Sequence, residues 1–290
     1  MKRLIVMALL LLSVDCFAGG VLGVANPAKV AGVTTPDKIC GVAGLAASGA
    51  TDYTQDANAM GAWYMNLGAG TAETDRTANG NNLAVSASDE IPRSSTVPTG
   101  YSGYSRDFER SEDDSMSIAD GTELDINGAD QPLTVAAWIK VESVDANDDG
   151  NQGIISKSGL AGYRQYILFI DYAAAGTFVL KGNISNDGTA ATLAETSTTY
   201  STGTWYHVAM VYNDTDIRLY VDGELAVAAV ACTTGIFNAE STFKLGGFTE
   251  SYGTFDGLID EPLVLNRAAS ATEVANMAAD GISGNKGGSD

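Results

Sequence analysis

From Met60 onward the chain is a succession of short apolar or alternating runs separated by Gly, Asn, Asp and Ser. Runs at 60–66, 115–119, 133–141, 153–157, 164–171, 176–182, 191–196, 204–212, 216–222, 225–231, 241–247 and 255–265 read as strands, closely spaced with turn residues between them. Within 216–222, Ile217, Leu219 and Val221 fall on one face while Arg218, Tyr220 and Asp222 fall on the other, the period-two pattern of a half-buried strand. Asp222-Gly223 then separates two such runs and predicts a tight hairpin, whose central positions require positive φ. So many short strands predict an all-β antiparallel sandwich. After Arg267 the polarity and alanine content rise, and 270–279 reads as one short helix, opened by Ser270 with Glu273 at the capping-box position. Residues 280–290 read as a frayed tail.

The first part of the chain lacks this pattern. Met1-Lys2-Arg3, an apolar run from Leu4 to Leu12 and a small-residue exit from Ser13 to Ala18 match an export signal over residues 1–18. Lipidation of Cys16 is the competing reading, and Asp15 directly before it fits that poorly. The run is too short to span a bilayer, so the expectation is a secreted or cell-surface protein with no membrane span. Residues 19–59 read as a linker or adaptor containing a short repeat, in which Asn26–Val33 is echoed by Thr35–Val42. Two copies are too few for a solenoid, so the segment is expected to tether or dock the main domain, residues 60–279.

Charge narrows the partners. The 290 residues carry a formal net charge of −20. Nucleic acid is excluded as a natural partner, since binding it needs a concentrated positive face. The carboxylate excess suits calcium or a high-salt medium. Of three cysteines, Cys16 lies in the signal, leaving Cys40 and Cys232; their spacing does not decide whether they pair, and two thiols fall short of a four-ligand zinc site.

Five separated motifs, in order, carry a family likeness. Gly203–Tyr212 (GTWYHVAMVY) followed by Ile217–Glu224 (IRLYVDGE) resembles the paired central strands of laminin-G-like, concanavalin A-like lectin/glucanase domains. Leu133–Lys140 with Gly153–Lys157, Phe243–Gly247, Phe255–Ser270, and the opening Ala62–Asn66 with Thr74–Asn82 are similar to further hallmarks of that family. The resemblance implies a two-sheet antiparallel jelly roll, often with one structural calcium and a sugar- or protein-binding face. It also implies that the calcium is clamped by Asp75 and Asp260, with backbone carbonyls near Asn79 and Gly80 as further ligands. It does not imply one ligand, because the fold hosts lectins, adhesion modules and glycosidases alike.

Catalysis finds little support. His207 is the only histidine and sits inside a strand run with no Gly-x-Ser-x-Gly motif, so it reads as packing. Glu123-Leu-Asp125-Ile-Asn-Gly128 resembles the Glu-x-Asp-x-x-Glu signature of related glucanases, but Gly128 replaces the second glutamate a glycosidase needs. Asp145-Ala-Asn147-Asp148-Asp149-Gly150 opens like an EF-hand loop, yet its twelfth position is Ser156 rather than a bidentate Glu, so it reads as a polar hairpin tip. For sugar stacking, Trp63, Trp138 and Trp205 match hallmark strand positions and read as core, while Tyr101, Tyr104 and Tyr252 lie in Gly- and Ser-rich loops and read as platforms. The expected function is a non-catalytic binding module for carbohydrate, with a protein-binding adhesion or structural role as the alternative and a degenerate glycosidase as the minor one.

Overall fold

The computed structural model describes residues 16–17, 20–21, 51–68, 72–85, 90–120, 124–126, 131–146, 150–159, 164–233, 235–238, 240–248 and 253–286. Two compact units divide the chain, Met1–Gly49 and Ala50–Asp290. In the first, β1 (Cys16–Phe17) pairs antiparallel with β2 (Gly20–Val21). The rest of the expected signal, the repeat at 26–44 and Cys40 lie outside the described residues.

The second unit is the expected sandwich. One sheet, the inner-lobe sheet, contains β4 (Ala72–Glu73), β5 (Leu83–Val85), β8 (Met116–Ile118), β10 (Gln152–Ser158), β11 (Arg164–Ala174), β12 (Thr177–Ile184), β13 (Thr192–Glu195), β14 (Tyr200–Ser201) and β18 (Phe243–Leu245). Its order is β13-β12-β11-β10-β18-β8-β5-β4, with β14 also on β12. The other, the helix-side sheet, contains β3 (Ala59–Ala62), β6 (Arg93–Ser94), β7 (Ser105–Phe108), β9 (Leu133–Val141), β15 (Trp205–Tyr212), β16 (Asp216–Val221), β17 (Glu224–Ala231) and β19 (Gly257–Leu265). Its order is β17-β16-β15-β9-β19-β7-β6. The first half of β19 pairs with β7 and the second half with β3. Sequence-distant neighbours such as β9 and β19 make both sheets products of crossover connections.

Alternation decides what fills the space between the sheets. Leu133, Val135, Ala137, Ile139 and Val141 of β9, with Val208, Met210 and Tyr212 of β15, point inward to meet Tyr166, Leu168 and Ile170 of β11 and Phe178 and Leu180 of β12. Gly182 sits where a Cβ would lie 2.6 Å from the Met210 sulfur and 2.9 Å from Leu219, so the close approach of the sheets depends on its bare backbone. Two cations, Arg106 and Lys157, are buried with this core. Arg106 meets Glu73 at 2.6 Å with side chains 0% and 1% exposed, and Lys157 meets Asp120 at 2.7 Å and Asp125 at 2.9 Å. Each cation also donates to carbonyls, Arg106 to Ile91 and Lys157 to Ser241, which offsets the cost of desolvation.

A second apolar cluster lies on the outer face of the helix-side sheet. Helix α1 (Ala271–Asp280) begins at Ser270, which accepts from the Glu273 amide while Glu273 accepts from the Ser270 amide, the predicted capping box. Its Val274 and Met277, with Ile282, pack on Ala136, Ala209, Val211, Tyr220, Leu263 and Leu265. Tyr53 and Tyr64, from the N-terminal part of this unit, join the same cluster. Arg267 ties these segments, meeting Asp56 at 2.6 Å and Glu273 at 2.7 Å. The predicted Asp222-Gly223 hairpin has φ of 50° and 81°. A Cβ on Gly223 would lie 2.8 Å from the Ala275 Cα, so α1 rests directly on that turn.

Candidate functional site

The residues expected to hold calcium are separately engaged. Asp75 is buried, and its four lone-pair positions meet four protein donors: the amides of Ala62 (3.1 Å), Thr77 (2.9 Å) and Asn81 (2.8 Å), and the Thr77 hydroxyl (2.7 Å). Asn79 donates to the Ala59 carbonyl at 2.7 Å, and the Gly80 carbonyl accepts from the Asn82 amide. This loop is therefore stapled to β3 by hydrogen bonds, and the geometry gives Asp75 a structural role rather than that of an open ligand. Asp260 lies on the outer face of β19 opposite Trp138; its Oδ1 accepts from the Glu261 amide, and its Oδ2 has no partner among the described residues. Burial, with the nearby Glu261 carboxylate, pushes its pKa well above the usual range.

Of the expected tyrosine platforms, Tyr101 and Tyr104 are engaged within the domain. The Tyr101 hydroxyl accepts from Trp138 Nε1 at 3.0 Å and lies 3.3 Å from the Ala278 carbonyl, so this residue pins its loop between the sheet and α1. One face of the Tyr104 ring is taken by the Arg93 guanidinium, 4.0 Å from the ring centroid. Tyr252 lies outside the described residues, as do Glu123, Gly128 and Asn147–Asp149. Asp125 is engaged by Lys157, as described above. His207 is packed edge-on against Trp138, and burial drives its pKa down to about 3, so it is neutral, in keeping with a packing role.

A different set of side chains converges on the outer face of the helix-side sheet, in the rows next to those covered by α1. Strand pairing puts Asp107, Leu258, Lys140 and Trp205 in one row across β7, β19, β9 and β15. Trp138 stands in the adjacent row between Asp260 and His207. With neighbouring strands about 4.8 Å apart, the row spans roughly 14 Å, the length of a short oligosaccharide. Trp138, Trp205, Lys140 and Asp107 are half-buried, and Leu258 beneath them is 2% exposed. The sequence reading of all three tryptophans as core holds only for Trp63, which is fully buried and stacked on Phe243. The signal was present: in both strands the inward stripe runs through the neighbouring positions, which leaves Trp138 and Trp205 facing out.

Beyond this row, the strand ends carry carboxylates. Ligand oxygens of Asp107, Glu109 and Glu142 lie within 4.8 Å of one another, a spacing compatible with a shared hard cation. Asp256 stands beside them, accepting from the Arg110 amide and the Ser143 hydroxyl. Desolvation, then repulsion from Glu142 and Asp256, raises the pKa of Asp107; desolvation, then repulsion from Asp107 and Asp256, raises that of Glu109. Asp107 Oδ1 and Trp205 Nε1 are buried without partners among the described residues. The surface thus offers the half-buried Trp205 indole, a group of carboxylates and one flanking ammonium, while Trp138 is held between Tyr101 and His207. That chemistry suits stacking and hydrogen bonding to a polyol.

Comparison with solved structures supports the fold. The chain is similar to domain 4 of AbnA, a GH43 extracellular arabinanase from Geobacillus stearothermophilus, in complex with arabinotriose, at 16% identity and a TM-score of 0.55, covering 76% of this chain and 98% of that one. It is also similar to the binding domain of Paraclostridial Mosquitocidal Protein 1, at 16% identity and a TM-score of 0.56, covering 76% and 52%. A botulinum neurotoxin type C structure, whose cell entry depends on interaction with two ganglioside molecules, matches at 12% identity and a TM-score of 0.54, covering 77% and 51%. The chain thus spans about half the length of the toxin chains it matches. Comparison with curated protein sequences gave no match. The family model of the concanavalin A-like lectin/glucanases superfamily matches residues 110–275. That match spans more than half of the chain, from the turn after β7 into α1, and the protein belongs to the concanavalin A-like lectin/glucanases superfamily.

Proposed function

We propose that the protein is a secreted, non-catalytic carbohydrate-binding module that holds its glycan on the exposed end of the helix-side sheet. The observation that carries this reading is the half-buried indole of Trp205, set on the central strand β15 beside Lys140, with Trp138 in the adjacent row and Asp107 at the far end of its own. A pyranose or furanose stacks on the indole face while its hydroxyls meet the carboxylate and ammonium groups. Arabinotriose in the similar arabinanase domain and gangliosides in the similar toxin support a glycan as the ligand.

Isothermal titration with a panel of neutral oligosaccharides tests the reading. Trp205→Ala is expected to weaken binding by about tenfold or more, as loss of a central aromatic anchor does, while Tyr104→Ala leaves it unchanged. Equal affinity of wild type and Trp205→Ala for a bound oligosaccharide would place the site elsewhere. One observation favours a protein partner instead: Leu193 and Leu225, 45% and 52% exposed, stand on the edge strands β13 and β17, which lie against each other. Retention of a surface protein by wild type but not by Leu225→Lys would support that second reading.

A further inference from the structure

We infer that this face selects neutral glycans and rejects acidic ones; the inference rests on the carbohydrate reading above. The site's charges are one-sided. Asp107, Glu109 and Glu142 bring oxygens within 4.8 Å of one another, and Asp256 and Asp114 contribute further negative charge to Asp107. Lys140 is the cation in the row, and it already faces Asp107 across Leu258, where its field partly offsets the repulsion.

A uronate or sialate carboxylate placed at the Asp107 end of the row, beside Glu109 and Glu142, would therefore enter a field of like charge. Each close pair of like charges weakens binding several-fold even in bulk water and more at a half-buried surface. Neutral sugars meet the opposite situation. Their hydroxyls can donate to the carboxylates at this end of the row with no charge penalty. Indole stacking adds attraction that does not depend on ligand charge.

The test is titration of the full chain at low ionic strength with neutral trisaccharides, including arabinotriose and maltotriose, and with trigalacturonate and sialyllactose as acidic probes. The expected result is binding of a neutral probe and affinity for the acidic probes weaker by about tenfold or more. That gap should narrow with added salt and in an Asp107→Asn, Glu142→Gln variant, because both remove the repulsion rather than the stacking surface. Thermal unfolding of the variant, with its midpoint retained, separates lost selectivity from lost fold. Acidic probes bound as tightly as neutral ones would overturn the selectivity while leaving the glycan reading standing. A chain that binds neither set overturns the glycan reading and the selectivity together.

Discussion

The outer face of the helix-side sheet is finished in two ways along the same strands. At one end β9 and β15 present Ala136 and Ala209, and α1 lies on them, burying Val274 and Met277. At the other end the same strands present Trp138, Lys140 and Trp205, all half-buried. Small side chains let a helix lie on the sheet; the larger indoles and charges of the next rows leave no room for it, and Trp138 meets the Tyr101 side chain instead. The backbone and its pairing are continuous across both ends, so the difference lies in outward-facing side chains alone. One end is closed by the helix, and the other leaves aromatic and charged groups partly exposed.

The largest expected effect falls on the covered end. Met277→Ala should cost about 2–5 kcal/mol in urea unfolding by opening a cavity under α1, with glycan affinity unchanged. A loss of affinity as large as the loss of stability would erase the distinction between the two ends. Asp75→Ala, which strands buried amides near β3, should cost about 1–3 kcal/mol. If Asp75 is a hydrogen-bond staple, that cost is the same with calcium and with chelator; a cost seen only with calcium would restore it as a ligand.

Asp260 marks the boundary between the two ends, and its pH dependence has a definite sign. Its folded pKa is raised, so the folded state holds the proton more tightly than the unfolded chain. Its contribution is intact below the ordinary value of 3.8 and is lost as pH rises toward the folded value. Wild type should therefore lose stability relative to Asp260→Asn across that window, as unfolding midpoints measured from acid to neutral pH would show. His207 acts in the opposite sense: its folded pKa is depressed to about 3, so its contribution is present above 6.5 and is lost as pH falls toward 3. The smallest effect on stability belongs to the open end, where Trp205→Ala should cost less than Met277→Ala because a half-buried ring leaves less of a cavity.

Much of this architecture was legible in the sequence. Leu133–Val141, the Asp222-Gly223 turn and the Ser270–Glu273 capping box appear as predicted, because each depends on local periodicity or turn chemistry. The short strands β4 to β7 escaped notice because runs of two to four residues carry too little pattern to stand out among loops. The site was less legible. Tyr101 and Tyr104 look exposed when loops are read alone, but their partners, Trp138 and Arg93, come from distant strands. Asp107, Glu109 and Glu142 meet only through the pairing of β7 and β9 with β19, a long-range register that local pattern does not encode.

The most direct test of the central claim is a matched pair of titrations with a bound neutral oligosaccharide, using Trp205→Ala and Met277→Ala alongside wild type. The account predicts that Trp205→Ala keeps its unfolding midpoint near that of wild type and loses binding, while Met277→Ala unfolds earlier and, where folded, binds like wild type. Binding retained in Trp205→Ala and lost in folded Met277→Ala would contradict it.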